Sequence, residues 1–421
     1  MDKYIIRGGV PLHGSVRIGG AKNAILPILA AVLLNCGESR LIDVPVLRDV
    51  NIMTAILRDL GATTELETDP ATGVNLLHVD TSKVNSFVVP EDLMREMRSS
   101  IVLMGALLGR FHRARVSFPG GCSIGPRPID LHLKGLRAMG VRFTEAHGYI
   151  DAEAQKLRGA DIHLDFPSVG ATENLMMAAV LAEGVTVIHN AAKEPEITDL
   201  QNYLNSMGAT VRGSGTDVVR IEGGNSLHAV EHSIIPDRIE TGTFMIAAAI
   251  TSGDITLENI IPEHVEAVMA KLREIGVEIR EEKDRVRVIG GRPIKAVDFK
   301  TMPYPGFPTD MQAQSMALMT LCDGISVITE NIFENRFKQA DELRRMGADI
   351  RIQGRSAIIR GVNRLTGAVV ETTDLRAGAA LVLAALAAEG TSRIENIYHI
   401  DRGYNRFETK LQALGAAIER V

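Results

Sequence analysis

The chain has no tryptophan, and aromatic residues make up only 4% of its 421 positions. Stacking platforms for nucleic-acid bases are therefore scarce. A surplus of positive charge is missing as well: 46 Lys and Arg stand against 52 Asp and Glu, a net charge of −6. A phosphate backbone needs a basic face, so no nucleic-acid partner is expected. Long apolar runs are also lacking. The most apolar, 25–34 and 379–388, are Ala-rich and too short to span a bilayer, so no membrane partner is expected. The first seven residues carry charges at Asp2, Lys3 and Arg7 and lack the apolar stretch of a signal peptide. Three cysteines are too few and too odd a number for a disulfide framework, which points to free thiols and a cytoplasmic location. Of these, Cys36 and Cys322 lie inside apolar segments and read as small buried core thiols. Neither a histidine cluster with ligand spacing nor a Cys-x-x-Cys pair occurs, so no metal site is expected.

What is present is an ordinary globular balance, 45% hydrophobic and 23% charged, in a chain longer than one core usually supports. An internal repeat organises it. A helix-like segment ends in Leu, Met or Ile followed by Gly and Ala or Val six times, with the glycine at Gly61, Gly140, Gly208, Gly276, Gly347 and Gly415. These recur at intervals of roughly 70 residues, the mark of repeated units that bury their faces on one another. Each copy has an Ala/Leu/Met-rich stretch, an alternating strand such as Val185–Ile188 or Ile255–Leu257, a polar loop and an amphipathic helix. In the fourth copy the helix is expected over 266–275, with Val265, Val268, Met269, Leu272 and Ile275 on one stripe and Gly276 as its cap. A return strand follows at 278–280.

The element order predicts an α/β fold of two inside-out domains, each of three βαβ-type units with helices tucked inside. Copies one to three, residues 22–235, form the N-terminal domain, and copies four to six, from 236 to 421, the C-terminal one. Residues 1–21 need a strand partner that pattern alone does not decide. The cleft between domains is the default ligand site.

The second copy departs from the others by a glycine-rich insertion at 118–128 carrying Cys122 and Arg127. A thiol on such a loop is exposed, and the guanidinium five residues on lowers its pKa, so Cys122 reads as reactive. Lys22, after Gly20-Ala21 and at the start of an apolar helix, can hold a phosphate; equally it can be a solvated lysine. Arginines recur in the loop after the strand: Arg48, Arg127, Arg336 and Arg402. Together they suit a small ligand with carboxylate and phosphate groups, although each alone reads as a surface charge. Asp310, following the prolines at 303, 305 and 308, stands before a helix, where it and Thr309 can act as caps, as a base, or as both.

Over essentially its whole length the chain resembles the UDP-N-acetylglucosamine 1-carboxyvinyltransferase family of enolpyruvyl transferases. The resemblance rests on Gly20–Ala24, 119–122, 127–131, Ser168–Thr172, Pro236–Thr243, Phe307–Gln314, Phe333–Phe337, Thr373–Arg376 and Tyr398–Tyr404. It implies the inside-out fold, with the N-terminal strand segment packed in the C-terminal domain. It also implies transfer of the enolpyruvyl group of phosphoenolpyruvate to the 3-hydroxyl of UDP-N-acetylglucosamine, the opening step of peptidoglycan synthesis, with no cofactor. By this resemblance Cys122 is the general acid, open to covalent capture by phosphoenolpyruvate and to alkylation by fosfomycin. Lys22, Asn23, Arg127, Arg336, Arg376 and Arg402 hold phosphoenolpyruvate. Asp310 meets the sugar hydroxyl as base, while Asn23 and Ile332 contact the aminosugar. Arg98 and the stretch Arg127, Pro128, Ile129, Asp130 and Leu131 bind the nucleotide. Lys22 and Arg402 count among the catalytic residues. Two positions depart from some members: Arg48 stands where lysine is frequent, and Phe166 where a nucleotide-contacting lysine can be. Rival readings are a related transferase acting on shikimate 3-phosphate and a catalytically idle paralogue that binds nucleotide sugar.

Overall fold

The computed structural model describes residues 2–118, 129–291 and 293–421, the Arg98 side chain excepted. In the fourth repeat the apolar stripe forms a helix over Glu266–Ile275, with Val268, Met269, Leu272 and Ile275 buried. It stops at Gly276, whose φ of 105° is left-handed backbone that side chains resist. Gly61, Gly140, Gly208, Gly347 and Gly415 adopt φ between 95° and 106° at the same place in their repeats. The tripeptide that marks the repeat is thus a helix stop.

After Gly61, Gly140, Gly208, Gly276 and Gly347 the chain returns as a hairpin. In the fourth repeat strand Glu278–Glu281 turns over three residues into Arg285–Ile289, and the latter pairs antiparallel with both Glu278–Glu281 and Asp254–Glu258. The two strands flanking the helix therefore do not touch. This differs from the simple βαβ expectation, because so short a turn forces the hairpin strand in as nearest neighbour. A fourth strand, His13–Arg17, adds in parallel to Asp254–Glu258. Four other repeats build the same four-stranded order, and the described residues of the second repeat form three strands, Arg113–Ser117, Tyr149–Glu153 and Arg142–Ala146. In the sixth repeat, among the described residues, no hairpin strand follows Ala417–Arg420. Tyr4–Arg7 takes that place, antiparallel to both Thr391–Glu395 and Ala417–Arg420.

The Ala-rich stretches become the inner helices. Every residue from Ile239 to Thr251 is buried, and Leu375–Ala387 is buried over 376–386. A helix apolar on all sides is stable only when enclosed by other elements. Among the described residues no helix is long and apolar enough to cross a membrane.

The chain divides into two compact units, one containing residues 2–19 and 236–421 and the other 20–118 and 129–235. In the first, the inner helices Arg238–Thr251, Gln312–Met319 and Leu375–Ala387 pack on one another. In the second, Leu103–Phe111 packs on both Lys22–Ala31 and Val169–Ala179. Close approach there depends on Gly105: a Cβ would meet the Asn174 backbone oxygen at 2.1 Å and its Oδ1 at 2.8 Å. Gly105→Ala is expected to destabilise this unit by roughly 1–3 kcal/mol, because two packed backbones must part. Urea unfolding would register a lower midpoint at unchanged slope.

Of the two described thiols, Cys322 is buried. Cys36 is exposed, contrary to the expectation of a core thiol. It falls in the turn between the 3-10 segment Val32–Leu34 and strand Glu38–Ile42, just past the end of the enclosed helix, with Sγ 3.9 Å from the Ser82 carbonyl.

Candidate active site

Asp310 lies in the short 3-10 turn Thr309–Met311 that follows the proline loop and leads into helix Gln312–Met319. Neither Asp310 nor Thr309 caps that helix, against the capping expectation. Two guanidiniums draw the carboxylate away. Arg336 Nη2 donates to Asp310 Oδ1 at 2.7 Å, and Arg376 Nη2 donates to Oδ2 at 2.8 Å. Both arginine side chains are only 5% exposed, so each needs a buried anion; Asp310, a quarter exposed, serves both. Arg376 is held at the start of helix Leu375–Ala387, whose cap Asp374 accepts from the Arg376 and Ala377 amides. Its other nitrogen, Nη1, lies 3.4 Å from the Tyr404 hydroxyl.

Burial acts to raise the Asp310 carboxyl, but Arg376 and Arg336 outweigh it and hold it well below the usual carboxylate range. Burial likewise acts to lower Arg376, and the adjacent Asp310 reverses this and raises it. The cluster is a carboxylate with one open side and two fixed cations behind it. Such an arrangement can receive a substrate anion on the guanidiniums and a hydroxyl on the carboxylate.

Arg402 ends the 3-10 segment Ile397–Arg402 and is partly buried, two residues before Tyr404. Ile332 is half-buried in the loop after strand Ile325–Thr329. These residues, with Asp310, Arg336 and Arg376, belong to one unit. Lys22, Asn23, Ile129, Asp130 and Leu131 belong to the other.

Lys22 opens helix Lys22–Ala31, where Ala21 provides no side-chain cap. It is not the solvated lysine that its position also allowed. The residue is 8% exposed, and Nζ pairs with Asp49 Oδ2 at 2.7 Å. Asp49, itself 1% exposed, sits in the first turn of helix Arg48–Asp59. Asn23 follows Lys22 and is half-buried. An ammonium beside a helix N-terminus attracts phosphate through charge and dipole together. Arg48, grouped by repeat position with the other arginines, instead pairs with Glu96 at 2.9 Å on the surface, where ion pairs contribute little.

Ile129 is buried, and Asp130 and Leu131 open helix Asp130–Ala138, with Asp130 exposed. Cys122, Arg127 and Pro128 lie outside the described residues, as does the Arg98 side chain; the Arg98 backbone starts the 3-10 turn Arg98–Val102. Phe166 is exposed.

Sequence reasoning missed an anchor for this helix start. Asn174 Nδ2 lies 2.7 Å from His132 Nδ1 and donates to the Ile101 carbonyl at 3.0 Å, while Oδ1 accepts from the Gly105 amide at 2.6 Å. Because the amide nitrogen only donates, His132 accepts through Nδ1 and carries its hydrogen on Nε2. Burial pushes its pKa down to about 4, so the ring is neutral. The available signal was an asparagine directly ahead of the apolar run Leu175-Met176-Met177. Asp49 and Glu330 were also missed; both are acidic residues in apolar surroundings, unexplained until a cation or donor is found for them.

The fold is that of the enolpyruvyl transferases. The sequence pattern of the family described as EPSP synthase (3-phosphoshikimate 1-carboxyvinyltransferase) matches residues 6–411, and the chain belongs to that family. The enolpyruvyl transferase NikO from Streptomyces tendae superposes with a TM-score of 0.88 at 26% identity, covering 100% of this chain and 99% of that one. EPSP synthase from Acinetobacter baumannii, 19% identical and covered over 100% of both chains, shares the fold with a TM-score of 0.77.

Within the family the chain groups with the UDP-N-acetylglucosamine 1-carboxyvinyltransferases. The protein of that name, form 1, from Symbiobacterium thermophilum is 59% identical over 100% of this chain and 95% of its own length. Its counterpart from Caldanaerobacter subterraneus is 57% identical over 99% of each.

Proposed function

We propose that this chain transfers the enolpyruvyl group of phosphoenolpyruvate to the 3-hydroxyl of UDP-N-acetylglucosamine, releasing phosphate, as the first committed step of peptidoglycan synthesis. The observation that supports it most is Asp310 held between Arg336 and Arg376, a carboxylate base and an anion seat built from three separate segments. The identities of 59% and 57% to proteins named for this transfer support the choice of acceptor.

In this reading Cys122 protonates the methylene carbon of phosphoenolpyruvate and leaves an oxocarbenium-like centre at C2. The sugar oxygen bonds to that carbon while Asp310 takes the hydroxyl proton. Return of a methyl proton to the Cys122 thiolate and departure of phosphate then restore the double bond and the starting thiol. Lys22, Arg127, Arg336, Arg376 and Arg402 stabilise the charge on the carboxylate and leaving phosphate. Asn23 and Ile332 orient the aminosugar, and Arg98 with the 127–131 stretch holds the nucleotide.

Asp310 in its lowered state is a weak base. Substrate anions that share Arg336 and Arg376 weaken their hold on it and raise its pKa toward the range in which it accepts a proton.

Phosphate release tests the assignment. Phosphoenolpyruvate with UDP-N-acetylglucosamine is expected to release phosphate stoichiometrically with the carboxyvinyl product, and phosphoenolpyruvate with shikimate 3-phosphate to release none. Turnover with shikimate 3-phosphate alone, or with neither acceptor, overturns it.

A further inference from the structure

We infer that Glu330 is a positioning residue that sets the orientation of both Asp310 and Ile332 for the transfer, an inference that rests on the function proposed above. Glu330 lies just past strand Ile325–Thr329 and is 1% exposed. Among the described residues its carboxylate pairs with no cation. Instead Oε1 accepts from Thr301 Oγ1 at 2.8 Å, from the Ile332 amide at 2.8 Å and from the Phe333 amide at 3.1 Å. Oε2 accepts from Thr309 Oγ1 at 2.8 Å. One buried side chain therefore ties the turn that carries Asp310 to the loop that carries Ile332.

Hydrogen-bond direction requires an acceptor at both side-chain oxygens of residue 330. Arg336 Nη1 donates to Thr309 Oγ1 at 2.7 Å, and a guanidinium can only donate. The single Thr309 hydrogen must then point to Glu330, which accepts on both oxygens. The same guanidinium donates through Nη2 to Asp310. Arg336 is thus forked between Thr309 and Asp310, and Glu330 holds one tine of the fork through the threonine hydroxyl. When Asp310 takes a proton and loosens its grip on Arg336, the Glu330–Thr309 arm keeps the guanidinium in place.

A glutamine at 330 breaks this polarity. With its oxygen on the two backbone amides, its NH2 group meets Thr309 only as a donor, so the threonine hydroxyl hydrogen that Glu330 accepts is left without its partner. Water has no access to mend the contact at 1% exposure.

The test is steady-state kinetics of Glu330→Gln with both substrates saturated in turn and pH varied. We expect kcat to fall roughly 10–100-fold, the cost of a misplaced catalytic group. The charged groups facing Asp310 are Arg336 and Arg376, with Tyr404 and Asp237 behind Arg376. Loosening Arg336 raises Asp310, so the acid limb of kcat should move to higher pH. A residue that only supports the fold would lower the active fraction and leave that limb in place. A kcat within twofold of the parent, or a loss of activity with an unmoved limb, overturns the inference. Should Glu330→Gln fail to fold, Thr309→Val removes the Oε2 arm together with the Arg336 Nη1 acceptor and leaves the Oε1 contacts in place, and the same two readouts decide. If the parent protein itself releases no phosphate from these substrates, the proposed function falls; if the parent is active and both variants match it, only the role of Glu330 falls.

Discussion

Asp310→Asn is expected to lower kcat by roughly 10²–10⁴-fold, the usual span for removing a positioned general base. The substitution keeps volume but turns one acceptor into a donor facing a guanidinium that is 5% exposed. Stability should fall with it, by about 1.5–3 kcal/mol for the lost charged hydrogen bond. The pH dependence separates the two effects. Because the native carboxyl is held below its ordinary value, its pairing stabilises the fold fully above the unfolded pKa of about 4. That contribution fades as pH drops through the lower native pKa. The asparagine variant should therefore show a flatter dependence of unfolding free energy in this acid window.

Activity follows the same carboxyl through two different states. In the parent, the acid limb of kcat/KM reports the free protein and should lie below the ordinary carboxylate range. The limb of kcat reports the substrate complex, where anions share Arg336 and Arg376, and should lie at higher pH. Both limbs should vanish in Asp310→Asn. A variant that keeps kcat within twofold of the parent would remove Asp310 from the mechanism.

Lys22→Met should damage both binding and folding. Loss of the ammonium removes a charged hydrogen bond to substrate, which corresponds to a rise of roughly 10–150-fold in KM for phosphoenolpyruvate. It also removes the cation 2.7 Å from Asp49, a carboxylate that is 1% exposed. Removing one partner of a buried pair costs about 3–5 kcal/mol. Adding Asp49→Asn should restore much of the stability and none of the affinity. Denaturation midpoints and KM measured on the two single variants and the double variant decide this. Recovery of both quantities together would show that Lys22 acts through the fold alone.

Much of the architecture was legible because it is local. The helix at Glu266–Ile275 was readable from one apolar stripe, and Gly276 from the stop it requires, since both depend on residues within one turn of each other. The hairpin strand that separates the two strands around each helix was less visible. Its cause is a short turn such as that between Glu281 and Arg285, which composition marks weakly.

The site divides in the same manner. Recurrence in the repeats singled out Arg336 and Arg402, the proline-broken loop marked Asp310, and the resemblance added Arg376. Capping chemistry then gave the wrong destination for the Asp310 side chain. Two guanidiniums 26 and 66 residues away outcompete the backbone amides next to it. Lys22 looked free for the same reason: its partner Asp49 lies on another helix and carries no local mark of the pairing.

The order of elements in each repeat, the six helix stops and the enclosed character of the Ala-rich helices follow from sequence alone, because periodicity and backbone preference act over a few residues. Tertiary structure decided which strand completes the last sheet, where Tyr4 lies opposite Arg420, and which acid neutralises which buried cation. Those choices are made between segments far apart in the chain. A buried charge takes whichever partner the fold brings within about 3 Å, and nothing in its own neighbourhood of sequence names that partner.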